Sequence, residues 1–127
     1  MSKTIMIVDD SASLRQVVSI ALTGAGYDVI EACDGKDALS KLDGKKIHLI
    51  VSDVNMPNMK GDACLAEMRQ NSDYNKIKVI MATTEAEKNM VIKMMKLGAN
   101  GYLVKPFNPD AIKNSLRPIV ARMGIDI

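Results

Sequence analysis

Residues 4–10 read TIMIVDD: a short run of residues that favour β-structure leads directly into two aspartates. The run is apolar without alternation, which is typical of a strand buried on both faces. Similar runs recur along the chain and predict four more strands, at Tyr27–Ala32, Ile47–Ser52, Ile77–Ala82 and Gly101–Val104. Five such strands indicate a parallel sheet that is covered on both faces.

Amphipathic segments alternate with these strands. Apolar residues at helical spacing predict helices over residues 13–23, 35–42, 61–70 and 86–97. Glycines predict where three of these helices end, namely Gly24, Gly44 (after Asp43) and Gly98. The alternation predicts an α/β fold, and right-handed crossovers in an open sheet make it doubly wound. A site in such a fold lies at the carboxyl ends of the strands, where the strand order reverses.

A fifth helix is predicted after the last strand. Asn108 suits the N-cap, Pro109 fits the first turn and Asp110 lies near the positive end of the helix. Pro118 falls within the apolar pattern of this helix, where a proline removes a hydrogen bond at a cost of about 3 kcal/mol. We therefore expect a kink or an early end near residue 117.

Length and composition limit the possible classes of protein. The 127 residues suit one domain, and we expect residues 1–127 to form it without an effector domain. A net charge of +2 gives no reason to expect nucleic-acid binding. The sequence has no apolar run of about 20 residues and no signal peptide, so we expect a cytoplasmic protein without a membrane span. Cys33 and Cys64 are predicted to be reduced thiols, and His48 alone cannot make a zinc site.

Polar residues follow four of the predicted strands at the points where these strands end: Asp9 and Asp10, Asp53, Thr83 and Thr84, and Lys105. Any one of them is common where a strand meets solvent, but parallel strands would bring all four groups to one edge. Clustered carboxylates favour a bound cation, and an oxygen-only set of ligands suits Mg²⁺. Lys105 and Thr83 would add a positive charge and a hydroxyl donor for a phosphoryl group, with a carboxylate as its acceptor.

Four motifs extend this interpretation: IMIVDD at 5–10, LIVSDVNMPNMKG at 49–61, VIMATTEA at 79–86 and GANGYLVKPF at 98–107. In their order and spacing the sequence resembles a response-regulator receiver domain, and it is most similar to the stand-alone chemotaxis regulators of that family. The resemblance spans essentially the whole chain. It implies a flavodoxin-like (βα)5 domain whose five-stranded parallel sheet has the order 2-1-3-4-5, an order taken from the family and not from the periodicity.

The resemblance implies a role for each acidic residue at the strand ends. Asp53 would be the phosphoacceptor. Asp10 and Asp53 would bind Mg²⁺ directly, the backbone carbonyl of Asn55 would be a third ligand, and Asp9 would act through water. The protein would catalyse its own phosphorylation and dephosphorylation only, and so would not be an enzyme acting on other substrates.

The resemblance also implies a switch. Thr83 and Lys105 would contact the phosphoryl oxygens, and Tyr102 would turn inward when Thr83 moves toward the phosphoryl group.

Residues beside the phosphoacceptor would set the lifetime of the aspartyl phosphate. Asn55 and Glu85 match positions that do so in the family. Thr84 stands where the family usually has a smaller residue, and its bulk is predicted to slow the transfer or release of the phosphoryl group.

The fourth helix, fifth strand and fifth helix would form the output face. Met90, Met94 and Leu97 share one side of the fourth helix and are predicted to belong to the core. Methionine and aliphatic side chains next to a lysine suit an amphipathic partner peptide. The predicted partner-binding residues on this face are Lys88, Val91, Met95 and Tyr102.

The resemblance implies a monomeric signalling protein that takes a phosphoryl group from a histidine kinase and binds a flagellar motor switch protein in chemotaxis. A phosphorelay shuttle or a phosphate sink without motor binding is the nearest alternative. An aspartate-nucleophile phosphohydrolase is more remote, because Asp-x-Asp would be expected where Asp9 and Asp10 are adjacent. A flavin carrier is disfavoured because this acidic pair would repel the flavin's phosphate.

Overall fold

The computed structural model describes residues 3–44, 46–54, 58–83 and 88–104, together with Asn114, Arg117 and Ala121; the side chains of Thr83, Lys88 and Val104 are not described. Its strands are Thr4–Val8 (β1), Asp28–Ala32 (β2), Leu49–Asp53 (β3), Lys78–Thr83 (β4) and Gly101–Val104 (β5). Its helices in these ranges are Ala12–Gly24 (α1), Gly35–Leu42 (α2), Gly61–Arg69 (α3) and Lys88–Lys96 (α4).

The five strands form one parallel sheet in the order β2-β1-β3-β4-β5, as the resemblance implies. The register brings the strand ends together: Val8 lies opposite Ala32 on one side and Ser52 on the other. At the far side, Thr83 lies opposite Val104. The residues that follow these ends therefore share the carboxyl edge of the sheet, where a doubly wound fold places its site.

Each face of the sheet carries its own core. Met6 and Val8 of β1 belong to the core cluster that includes Leu65 of α3 and Met94 of α4. The alternate residues Ile5 and Ile7 belong to a second cluster with Val18 and Leu22 of α1. Successive side chains of a strand point to opposite faces, so β1 is buried on both sides. This burial confirms the prediction made from its continuous apolar run.

Glycines end the helices largely as predicted. Gly44 and Gly98 have φ of 70° and 105° and follow α2 and α4. The prediction for α1 is confirmed, since Gly24 is its last helical residue; the residue with positive φ that follows is Gly26, at 100°. The Tyr27 N–H then donates to the Leu22 carbonyl at 3.1 Å, which closes a Schellman-type C-cap.

The predicted strands begin one or two residues too early in three places. The paired segments start at Asp28, Leu49 and Lys78 instead of Tyr27, Ile47 and Ile77. Ile47 is buried but precedes the hydrogen-bonded ladder. An apolar side chain marks burial and does not report whether its backbone pairs, so the pattern places the starts of these strands too early.

The fifth helix falls largely outside the described residues. Asn114, Arg117 and Ala121 are helical and exposed. Their spacing of three and four residues places them on one helix face. Asn108, Pro109, Asp110 and Pro118 are outside the described part of the chain, so the N-cap and the kink stay predictions. Among the described helices, none is long and apolar enough to cross a membrane.

Candidate functional site

Three aspartates meet at the carboxyl edge of the sheet. Asp9 and Asp10 directly follow β1, and Asp53 is the last residue of the neighbouring β3. One carboxylate oxygen from each lies within 4.8 Å of the other two. Asp9 is buried, Asp53 is half-buried and Asp10 is exposed, so the cluster opens to solvent on one side. The predicted convergence of these three acids is confirmed.

The turn into α1 holds Asp9 in place. The backbone N–H of Ser11 donates to Asp9 Oδ1 at 2.9 Å, and the Ser11 hydroxyl accepts from the Leu14 N–H as the N-cap of α1. Arg15 reaches back from α1 and donates to the Asp9 backbone carbonyl at 2.6 Å. Its Nε also bonds to Glu31 of β2 at 3.3 Å. Sequence reasoning missed Arg15, since helical periodicity gives no sign of a contact to a backbone carbonyl.

Gly61 allows α3 to begin directly against the end of β3. A Cβ at this position would overlap the Asp53 carbonyl oxygen, and it would also lie 2.9 Å from the Met81 side chain. The Gly61 N–H donates to the Val54 carbonyl at 2.9 Å. This close approach is the physical reason for a glycine at the end of the motif at 49–61. It fixes the backbone that presents the Asp53 carboxylate.

A fourth aspartate, Asp34, lies outside this cluster at the start of α2. Its Oδ1 accepts from the Asp37 N–H at 2.8 Å as the N-cap of α2, and its Oδ2 accepts from Asn58 Nδ2 at 2.8 Å. The hydrogen bond from Asn58, followed by that from Asp37, lowers the pKa of Asp34. Nothing in the periodicity of the sequence predicted this pair, which joins the start of α2 to the segment after β3.

Several predicted site residues lie outside the described part of the chain: Asn55, Thr84, Glu85 and Lys105. Thr83 is the last residue of β4, next to β3 in the sheet, so its backbone lies at the same edge as Asp53. The roles of all five stay predictions. Tyr102 lies on β5 with 42% of its surface exposed.

The predicted division of α4 into core and exposed sides is largely confirmed. Met94 is buried, and Met90, Leu97 and Val91 pack partly against the same core cluster. Met95 is 46% exposed, as expected for a binding residue. Sequence reasoning missed Ile92, which is 41% exposed and lies on the same helix. Val91 is the least accessible of the predicted partner-binding residues whose side chains are described.

The chemistry of the acidic cluster suits a hard divalent cation. All three side chains offer carboxylate oxygens, which are the ligands that Mg²⁺ prefers, and one of them is open to solvent for water ligands. Carboxylates this close repel one another, and a bound cation relieves the repulsion. The described residues offer no comparable set of soft ligands: neither Cys33 nor Cys64 belongs to the cluster, and burial raises the pKa of Cys64 to about 11.

The sequence pattern of the response regulator receiver domain matches residues 5–117. The chain belongs to this family. It is 38% identical over 118 residues to the chemotaxis protein CheY1 of Helicobacter pylori, covering 91% of this chain and 95% of CheY1. Receiver domains of this type are signalling domains and not classical enzymes, and they bind Mg²⁺ in an acidic pocket.

Solved structures support the same conclusion. The chemotaxis response regulator CheY4 of Vibrio cholerae superposes with a TM-score of 0.88 at 39% identity, covering 94% of this chain and 99% of CheY4. The Mn²⁺-bound form of the response regulator Rcp1 superposes with a TM-score of 0.79 at 29% identity, covering 94% and 92% of the two chains. The protein is therefore a CheY-like receiver domain of a two-component system.

Proposed function

We propose that this protein is a phosphorylation-controlled switch in which Asp53 accepts a phosphoryl group from a phosphohistidine of a histidine kinase. The N–P bond of the donor breaks, its electron pair stays on the histidine nitrogen, and a bond forms between phosphorus and an Asp53 oxygen. The observation that carries the proposal is the three-acid cluster, with carboxylate oxygens within 4.8 Å at the carboxyl edge of a receiver fold. A nucleophile alone would not need two more acids beside it.

Mg²⁺ would neutralise the charge that gathers on the phosphoryl oxygens. Asp10 and Asp53 would hold it directly with the carbonyl of Asn55, and Asp9 would act through water. The Mn²⁺-bound form of Rcp1 supports divalent-metal binding by a related receiver. Thr83 and Lys105 would donate to the phosphoryl oxygens, and the bulk of Thr84 with the chemistry of Asn55 and Glu85 would set the lifetime of the phosphorylated state.

The output would be protein binding at the face formed by α4 and β5. Met95 and Tyr102 provide exposed apolar surface there, and Lys88 and Val91 lie on the same helix as Met95. Likeness to CheY1 and CheY4, both chemotaxis proteins, supports a flagellar motor switch protein as the partner. Phosphorylation would reach this face through Thr83 and Tyr102.

Labelling with acetyl phosphate and Mg²⁺ tests the site. Wild type should gain the mass of one phosphoryl group, and Asp53→Asn should gain none. Asp73→Asn is the matched control, because Asp73 lies in an exposed loop and its loss should leave labelling unchanged. Equal labelling of wild type and Asp53→Asn would overturn the assignment. Tighter binding of a motor-switch peptide by the phosphorylated form would support motor control, and equal binding by both forms would favour the phosphate-sink alternative.

A further inference from the structure

An open cavity lies at the amino edge of the sheet, where the end of α3 meets the starts of β4 and β5. Its volume is about 350 Å³, within the range of pockets that hold small molecules. Three cations and two side-chain amides line it, namely Arg69, Lys76, Lys78, Asn75 and Asn100. No acidic side chain is among the described residues of its wall. This cationic cavity therefore gathers positive charge that no lining carboxylate offsets.

Arg69 brings to the cavity a charge that pairs with no carboxylate of the described residues. All five N–H groups of its guanidinium donate to neutral oxygens, which are the carbonyls of Tyr74, Asn75 and Gly98 and the Oδ1 of Asn100. The side chain is half-buried, and burial lowers the pKa of Arg69 because the charged form loses part of its hydration. An anion in the cavity would compensate for that loss through its charge, since no N–H of Arg69 is left to donate.

The donors for such an anion come from the other lining residues. Lys76 is exposed and Lys78 is half-exposed, and neither ammonium group bonds to a residue that the structure describes. Asn100 Oδ1 accepts from the Val79 N–H at 2.9 Å and from Arg69 Nη2 at 3.3 Å. These two bonds fix the orientation of the amide, so that its NH₂ group is the part left to donate.

A neighbouring cavity shows that this charge is not a general property of the amino edge. That cavity shares Ile77 with the cationic cavity and has a volume of about 410 Å³. Asp43 and Asp73 line it together with Lys46. Its two carboxylates would repel an anion, so the preference for a negative ligand is confined to the cationic cavity.

We propose that the cationic cavity is a second ligand site, which takes a small molecule carrying a diphosphate group. Two linked phosphoryl groups place more negative charge in a compact volume than one does, which suits three cations in one wall. Their oxygens would accept from the ammonium groups of Lys76 and Lys78, a type of donor common in phosphate sites. The acidic cluster lies at the opposite edge of the sheet and would repel the same ligand, so the two sites are distinct.

Inorganic pyrophosphate is the probe, titrated into ¹⁵N-labelled protein in EDTA so that no metal carries it to the acidic cluster. We expect saturable shifts in the amide signals of Lys76, Lys78 and Asn100, with those of Asp9 and Asp53 unmoved. Citrate carries a similar charge without phosphoryl groups and should bind more weakly. Tighter binding of ADP than of pyrophosphate would identify a nucleotide as the ligand, and weaker binding of ADP would identify a free diphosphate; both support the site.

Two substitutions should each weaken binding about tenfold, the effect of losing one favourable contact to a charged group. Lys76→Gln removes an exposed ammonium group. Asn100→Asp keeps the oxygen that accepts from Val79 and Arg69 and sets a carboxylate in the wall. Lys60→Gln is the matched control, because it also lowers the net charge by one and its exposed side chain lies at the other end of α3. The control should bind within about twofold of wild type.

Three results would each overturn the proposal: no saturable shifts in wild type at up to about 10 mM pyrophosphate, equal binding of citrate, or an equal loss of affinity in Lys60→Gln. Urea unfolding shows whether Asn100→Asp is folded. If it is not, Lys76→Gln decides the outcome, because its exposed side chain makes no contact within the described residues that the fold would lose. Wild-type affinity in Lys76→Gln would contradict the site.

Discussion

The two edges of the sheet differ in how their polar groups are arranged. At the carboxyl edge, Asp9, Asp10 and Asp53 bring three like charges within 4.8 Å. At the amino edge, Arg69 of α3 donates five hydrogen bonds, to the carbonyls of Gly98, Tyr74 and Asn75 and to Asn100 Oδ1. The like charges at the carboxyl edge repel one another, whereas the oxygen atoms at the amino edge accept hydrogen bonds from Arg69. We therefore expect the amino edge to contribute more to the stability of the fold than the carboxyl edge, where the acidic cluster is arranged to receive a positive charge from outside.

The largest effect on the free energy of unfolding should come from a substitution at the amino edge. Arg69→Ala removes the five side-chain hydrogen bonds that join the end of α3 to the connections on both sides of β4. It leaves the half-buried carbonyls of Gly98 and Tyr74 without these partners. We expect the free energy of unfolding to fall by about 3 kcal/mol. Urea unfolding measures it, with the exposed Lys96→Ala as the control. A fall no greater than that of the control would show that the amino edge does not carry this share of the stability.

A substitution at the carboxyl edge should lower both the stability of the protein and the rate at which acetyl phosphate labels it. Gly61→Ala places a methyl group against the Asp53 carbonyl and forces the backbone of β3 or α3 to move. We expect a loss of about 2 kcal/mol in the free energy of unfolding and slower labelling by acetyl phosphate. Gly44→Ala is the control for labelling: an alanine there is strained by a positive φ, which Gly61 does not have, but the space around its Cβ position is open. Labelling at the wild-type rate in Gly61→Ala would contradict the role given to this contact.

Removing one charge from the cluster should stabilise the protein. Asp10→Asn relieves repulsion between carboxylates that are no more than 4.8 Å apart. We expect the free energy of unfolding to rise by about 1 kcal/mol in EDTA at low salt. Added Mg²⁺ should stabilise wild type and have little effect on the variant, since a ligand stabilises only the state that binds it. A destabilised Asp10→Asn in EDTA would mean that the acids are not in repulsion.

The smallest effect concerns His48 at the amino edge. Its Nδ1 accepts from the Thr4 N–H at 3.0 Å, a bond that a proton on Nδ1 would abolish. Burial, followed by the charges of Lys3 and Lys46, lowers the pKa of His48 below 6.5. The unfolded chain then binds the proton more readily, so this stability is present above pH 6.5 and is lost as the pH falls toward the folded-state pKa. His48→Asn keeps an acceptor without titrating, and its unfolding free energy should fall less between pH 7 and pH 5; an equal fall would exclude His48 as the source.

The two edges also differ in how much of their structure the sequence could predict. The apolar runs predict the parallel sheet. The points where these runs stop predict the meeting of Asp9, Asp10 and Asp53, because parallel strands align their carboxyl ends at one edge. The hydrogen bonds of Arg15 with Glu31, Arg69 with Gly98 and Asn58 with Asp34 join residues that are 16, 29 and 24 positions apart, and no period of the sequence reports such contacts. Ile92 is exposed although it is apolar. Helical periodicity alone does not decide whether a residue at the margin of an apolar face is buried or exposed.

The most direct test of the central claim is to locate the phosphoryl group itself. Protein treated with acetyl phosphate is reduced with borohydride, which converts an aspartyl phosphate to homoserine, and the modified position is read by peptide mass spectrometry. The account predicts homoserine at position 53 when Mg²⁺ is present and none when EDTA replaces it. Homoserine at another aspartate, or equal conversion of Asp53 in EDTA, would contradict it.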